Sequence, residues 1–240
     1  MGISQITRTI RKYLPLEPCG AVIVAAGNAS RMGGIDKTVA LLGGEPVILR
    51  TVRAFQECDI IKEIVIVTRQ DLLSQVSEIC HDFDKVTAVV AGGDTRPGSV
   101  QNGIDALSAK CHLVAVQDGA RPLVSGEVID RTVRAAHTYG AAAPGIPVKD
   151  TIKVVEGGLV SSTPERKLLR AIQTPQVFDL DLLRGALKKA MDEGAEITDD
   201  CSAVERLGMR IRIVEGDERN IKITTPLDLK LAEMLLEETK

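Results

Sequence analysis

The chain has 240 residues, 44% hydrophobic and 26% charged, with a formal net charge of -3. At about 150 residues per domain this length suits one or two domains, with a core large enough to need no disulfide or metal. The mixture excludes a disordered chain, the slightly acidic total argues against a nucleic-acid footprint, and 2% aromatic residues with no Trp leave no stacking platform for single strands.

The first stretch sets Ile3, Ile6, Ile10 and Leu14 at spacings of three and four, the stripe of a short amphipathic helix. Pro15 and Pro18 end it, so residues 1–19 are expected to form a helical extension laid on the body of a domain spanning 20–240. The basic residues Arg8, Arg11 and Lys12 are not followed by the apolar core of a secretory signal.

From Gly20 short Val- and Ile-rich runs alternate with helical stretches. The runs are Ala21–Ala26, Glu63–Thr68, Val86–Ala91, His112–Gln117 and Ala141–Val148, with helices expected near 46–57, 70–80, 98–109 and 125–138. Continuous apolar strands separated by helices predict an α/β fold, a doubly wound, mostly parallel sheet covered on both faces. No run approaches the about 20 apolar residues of a membrane span. Cys19, Cys58, Cys80, Cys111 and Cys201 are scattered without a CxxC or zinc-type pair, which reads as reduced thiols of a cytoplasmic protein.

The rhythm breaks between Asp150 and Arg170. Gly157-Gly158 between β-branched runs is a hairpin signal, read as an arm leaving the domain at about 150–170, with an ordinary surface hairpin as the plainer alternative. Beyond it a strand is expected over Thr174–Phe178, a helix over Asp179–Asp192, a short helix capped by Thr198-Asp199-Asp200, and a strand over Ile211–Val214. The last helix has Thr225 as its cap, Pro226 in its first turn and Asp228 completing a capping box. Its buried stripe is expected to be Leu227, Leu231, Met234 and Leu235.

Three segments carry candidate chemistry, each just beyond a strand, where open α/β sheets bind ligands. The first, Val24 to Lys37, contains Ala25-Ala26-Gly27, small residues that let backbone N–H groups approach phosphate oxygens, and the cations Arg31 and Lys37. It fits neither GxxxxGK[ST] nor GxGxxG, and by itself is either a phosphate site or a tight turn. The second, Gly92-Gly93-Asp94 through Ser99, brings backbone close to a ligand, while Ser99 begins a helix and either caps it or touches that ligand. The third places Asp118 at the end of a buried strand, where a lone carboxylate is costly. A hard divalent cation or a salt bridge to Arg121 would compensate it. Lys149-Asp150-Thr151, Arg166 with Thr174-Pro175-Gln176, and Asn220-Ile221-Lys222 add polar groups at strand ends, an arrangement suited to a polyanionic small substrate. None of His81, His112 or His137 sits at a motif.

Taken in order, these segments resemble the 2-C-methyl-D-erythritol 4-phosphate cytidylyltransferases over about residues 20–238. The matching set includes Ala25-Ala26-Gly27 with Arg31-Met32-Gly33, Gly92-Gly93-Asp94, Ser99-Val100, Asp118 to Pro122, Lys149-Asp150-Thr151, Thr174-Pro175-Gln176, Thr198-Asp199-Asp200 and Asn220-Ile221-Lys222. The resemblance implies a Rossmann-like nucleotidyltransferase, a homodimer joined by its β-arm, and a reaction of CTP with a sugar-alcohol phosphate in the presence of Mg²⁺. It implies that Arg31 and Lys37 stabilise the transition state and that Asp118 binds Mg²⁺. Ala25, Ala26, Gly27, Gly93, Asp94, Ser99 and Asp118 would contact the nucleotide. Lys222 would orient the attacking phosphate, and Thr151 and Arg166 on the arm would bind the sugar phosphate, with Arg166 counted among the catalytic set. The chain departs from the family pattern at Ala29, Asp36 and Thr38 and in a shorter interval from Arg31 to Lys37. Ribitol 5-phosphate cytidylyltransferase and a non-catalytic nucleotide-binding protein are the alternatives.

Overall fold

The computed structural model describes residues 11, 13–27 and 37–238. Ile3, Ile6 and Ile10 of the expected N-terminal helix lie outside the described residues, as do Arg31 and Asp36. Of that segment, Arg11 reaches the body of the domain, its Nη2 3.5 Å from Asp179 Oδ2.

The strands alternate with helices as their apolar runs require. β1 (Cys19–Ala25), β4 (Ile61–Thr68), β5 (Val86–Ala91) and β6 (Leu113–Asp118) are parallel and lie in the order β5-β4-β1-β6. The connecting helices are α1 (Val47–Gln56), α2 (Leu73–Ile79) and α3 (Arg96–Ala106). Between β1 and α1 a small hairpin pairs β2 (Leu41–Leu42) with β3 (Glu45–Pro46).

Past β6 the sheet becomes mixed. α4 (Gly126–Tyr139) leads to β7 (Ala141–Pro147), and β11 (Gln176–Asp179) lies antiparallel between β6 and β7. β10 (Arg170–Ile172) pairs antiparallel and β12 (Arg212–Glu215) parallel with β7, completing an 8-stranded sheet. The arm is the hairpin β8 (Val154–Glu156) and β9 (Leu159–Ser162), closed by Gly157 and Gly158 at φ 58° and 82°. Both positive φ values are the reason glycine stands there. α5 (Leu180–Asp192), α6 (Asp200–Glu205) and α7 (Pro226–Glu237) finish the chain.

Alternation along the strands divides the core. Ile23, Ile64, Ile66, Leu113 and Ala115 face α1 and α4, packing with Val52, Phe55, Val128 and Ile129. Val22, Val67, Val114 and Val116 face the other way, onto Val100 and Ile104 of α3 and Leu183 and Leu187 of α5. α3 approaches the sheet closely because Gly103 has no side chain: a Cβ there would collide with Val22 and Val67.

Two expectations are corrected. Leu227, Leu231 and Met234 are exposed rather than buried. α7 instead turns Ala232 inward, with Leu229 and Leu236 packed on Leu42, Val47 and Ile223. Ser99 does not begin its helix, because α3 starts at Arg96, capped by the Thr95 side chain, which accepts from Gly98 N.

Candidate active site

The parallel strands end side by side, with Val24 of β1 in register with Asp118 of β6. The chain leaves β1 through Ala25, Ala26 and Gly27, whose small size keeps the space above the strand ends open. Gly92, after β5, closes one wall: a Cβ there would strike the Ala26 side chain and lie 2.9 Å from Ser99 Oγ. Ser99 is buried, accepts from Gly93 N at 3.1 Å and donates to Thr95 O at 2.9 Å. Its hydroxyl therefore fixes the Gly-Gly loop against the start of α3, where the helix dipole favours an anion.

Asp118 follows Val114 and Val116 in the alternation of β6, so its side chain faces the start of α3. Its own N–H donates to Thr174 Oγ1 at 3.1 Å, and three cations surround its carboxylate. Lys222 Nζ lies 2.9 Å and Arg121 Nε 3.2 Å from Oδ2, and Arg96 Nη1 lies 3.6 Å from Oδ1. Burial pushes the Asp118 carboxyl up, but the charges of Lys222, Arg96 and Arg121 outweigh it and hold the group below the usual carboxylate range. Of the two compensations open from sequence, the salt bridge to Arg121 is present, joined by two further cations.

Lys222 reaches this point through a relay from β11. Asn220, fully buried, donates from Nδ2 to Thr174 O at 2.8 Å, while its own carbonyl accepts from Arg121 Nη1 at 2.7 Å. Ile223 N then donates to Ala120 O at 2.8 Å. The loop carrying Lys222 is thus hydrogen-bonded to the segment that follows Asp118 and to Thr174, which holds the Asp118 N–H.

Ala25, Ala26, Gly27, Lys37, Ser99, Asp118 and Lys222, expected from sequence, line one cavity together with Val24, Thr38, Arg96 and Ala120. Lys37 Nζ sits 4.0 Å from where a Cβ on Gly27 would stand, above the small-residue turn. Gly93 and Asp94 are exposed and do not line this cavity. Thr151 and Arg166 are exposed as well and lie outside it; Arg166 Nη1 donates to Lys149 O at 2.9 Å.

A strand-end cavity walled by small residues and cations is shared by many nucleotide-binding proteins, and its sequence relatives decide among them. The family model for 2-C-methyl-D-erythritol 4-phosphate cytidylyltransferase matches residues 19–238. The chain belongs to that family. It is 46% identical over 225 residues to the 2-C-methyl-D-erythritol 4-phosphate cytidylyltransferase of Caldanaerobacter subterraneus subsp. tengcongensis, covering 90% of this chain and 97% of the relative. The enzyme of the same name from Symbiobacterium thermophilum is 44% identical, with 92% and 94% covered. Among solved structures, the crystal structure of 4-diphosphocytidyl-2C-methyl-D-erythritol synthase from Anaerococcus prevotii superposes with a TM-score of 0.84 at 31% identity, covering 92% of this chain and 96% of that one. The 2-C-methyl-D-erythritol 4-phosphate cytidylyltransferase structure from Thermus thermophilus gives 0.75 at 34%, covering 90% and 98%.

The donor set bears on the metal expected for a cytidylyltransferase of this family. Among the described residues no group of three or more His, Cys, Asp or Glu could hold an ion. Mg²⁺ is commonly bound by one or two carboxylates with substrate phosphates and water completing its shell. A single carboxylate lining the cavity fits that pattern, and Asp118 is the residue that would hold the ion.

Sequence reasoning gave no role to Arg96, although it lines the cavity. The available signal was its place three residues after Gly93, a cation in the first turn of a helix that opens on a strand end. Asp200 stood out only as part of the Thr198-Asp199-Asp200 cap, and its pairing with Arg96 had no signal, because only the fold brings α6 to α3.

Proposed function

We propose that this cytidylyltransferase moves the cytidylyl group of CTP onto 2-C-methyl-D-erythritol 4-phosphate, forming 4-diphosphocytidyl-2-C-methyl-D-erythritol and releasing pyrophosphate, through the cavity between β1, α3 and β6. The observation that carries the site assignment is the convergence of Lys37, Arg96 and Lys222 with Asp118 at the strand ends.

The chemistry needs little acid–base help. A phosphate oxygen of the sugar alcohol forms a bond to the α-phosphorus while the bond from that phosphorus to the bridging oxygen of the β-phosphate breaks, and the electron pair leaves with pyrophosphate. A phosphate is already anionic at neutral pH, and no histidine lines the cavity among the described residues. Catalysis is then positioning and stabilisation of developing negative charge. Lys37 over the Ala25–Gly27 turn and Arg31 on the same segment hold the triphosphate. Lys222 aligns the attacking phosphate. Gly93 and Asp94 receive the nucleoside end, and Ser99 is a further nucleotide contact inside the cavity. Asp118 would hold Mg²⁺, which when bound neutralises phosphate charge.

Thr151 and Arg166 stand on the arm, away from this chain's own cavity, and serve as the contacts to the sugar phosphate in a homodimer whose arms cross. The hairpin supports that reading: two strands alone are marginal in water, and Val154, Val155, Leu159 and Val160 are all exposed. A cytoplasmic setting agrees with five free cysteines; among the described residues no helix is long and apolar enough to cross a membrane.

Pyrophosphate release from CTP, measured with each sugar phosphate in turn, tests the reaction. Turnover with methylerythritol phosphate is expected, and turnover with ribitol 5-phosphate alone would overturn the assignment.

A further inference from the structure

The Thr174-Pro175-Gln176 and Thr198-Asp199-Asp200 motifs take no part in the chemistry above, yet both converge on Asp118. Thr174 fixes the Asp118 backbone. Gln176, buried on β11, uses both ends of its amide on the start of α6: Nε2 donates to Asp199 Oδ2 at 2.8 Å and Oε1 accepts from Cys201 N at 2.9 Å. Asp199 also caps that helix, accepting from Ser202 N at 2.9 Å. These bonds lock Asp200, 1% exposed, beneath α3, where Arg96 Nη2 donates to its Oδ2 at 2.6 Å.

The other terminal nitrogen of the same guanidinium, Nη1, stops 3.6 Å from Asp118 Oδ1, outside hydrogen-bond range. Two carboxylates thus face one planar fork, and Asp200 holds the close contact. An arginine released from such a contact closes on the nearest carboxylate, preferably with two parallel bonds. Asp118 would then have Arg96 on Oδ1 in addition to Lys222 and Arg121 on Oδ2.

We infer that Asp200 is a positioning residue of the transfer reaction: it restrains Arg96 so that one oxygen of Asp118 stays open to a metal-bound nucleotide. The inference rests on reading Asp118 as the metal-binding carboxylate. Partners that orient a metal ligand commonly matter by about 10- to 100-fold in metal affinity.

The test measures Mn²⁺ capture in the presence of CTP by the electron paramagnetic resonance of free Mn²⁺, with folding checked by circular dichroism. Asp200→Asn should weaken capture by about tenfold or more. The double variant Arg96→Gln/Asp200→Asn should capture Mn²⁺ as well as Arg96→Gln alone and better than Asp200→Asn, because the arginine that blocks Asp118 is gone. A merely structural Asp200 would show no such rescue. Unchanged capture in Asp200→Asn, or a double variant as weak as the single one, overturns the inference and leaves Asp118 as the ligand. Equal capture by wild type and Asp118→Asn overturns the metal reading and this inference with it. If Asp200→Asn does not fold, Gln176→Met loosens the same anchor. Weakened capture that Arg96→Gln restores upholds the inference, and unweakened or unrescued capture overturns it.

Discussion

Lys222 Nζ lies 2.9 Å from Asp118 Oδ2, so the loop before the last helix delivers a cation to the end of a central strand. The pair is asymmetric: Lys222 keeps 40% of its side chain exposed while Asp118 keeps 9%. The lysine can turn toward a substrate phosphate while the carboxylate stays in place. Lys222→Ala is expected to lower kcat on the order of 10² to 10³, the scale of losing one preorganised charge stabiliser. The thermal midpoint should hardly move, since a partly exposed ion pair contributes little to stability. A steady-state assay beside a melting curve checks both halves.

Asp118→Asn separates charge from shape. The amide retains the volume and leaves Lys222, Arg96 and Arg121 in place but offers no anionic ligand. Metal-dependent pyrophosphate release should fall by at least about 10², while CTP binding measured without metal should not weaken, because those cations lose their internal competitor. Metal-dependent turnover at the wild-type rate would remove Asp118 from the metal site.

A third buried carboxylate, Glu63, lies outside the cavity and bears on acid stability. Glu63, near the start of β4, accepts from Thr87 Oγ1 at 2.9 Å and from the Ser108 N–H at 3.1 Å and 3.2 Å. Burial raises its carboxyl, but these bonds and those from the Ser108 hydroxyl and Cys111 prevail and hold it below the usual range. Its folded-state pKa is depressed, so its stabilisation is complete above the unfolded value of about 4.3 and is lost as pH falls through the lower folded value. Glu63→Gln should cost about 1.5–3 kcal/mol at neutral pH. Denaturant midpoints should show the gap from wild type narrowing below pH 4.3, roughly the unperturbed glutamate value.

The arm predicts assembly. Val155 and Val160 are cross-strand partners in the hairpin and both exposed. Replacing both with Ser should shift sedimentation from dimer toward monomer and raise KM for the sugar phosphate far more than for CTP, because Thr151 and Arg166 flank that hairpin in the chain. A monomeric wild type with full activity would separate the arm from the site.

Most of the strand pattern was legible because strands covered by helices on both faces are continuous apolar runs. β1, β4, β5, β6 and β7 fall within about two residues of their runs. The last helix was misread for a specific reason. Leu227, Leu231 and Met234 form one apolar stripe, and Leu229, Ala232 and Leu236 form another. Periodicity reports both and cannot choose between them. The site was legible where glycines, small residues and charges cluster beyond a strand, as at Ala25–Gly27, Ser99 and Asp118. It was not legible where the partner comes from a distant segment: Arg96 and Asp200 are 104 positions apart and meet only when α6 docks against α3.

Above all, we propose that the strand-end cavity holds the triphosphate of CTP at Asp118. A crystal structure of the protein with CTP and magnesium tests it directly. The expected result is the phosphates between Gly27, Ser99 and Lys222, with the magnesium held at Asp118. A nucleotide bound elsewhere, or a metal that leaves Asp118 untouched, would contradict it.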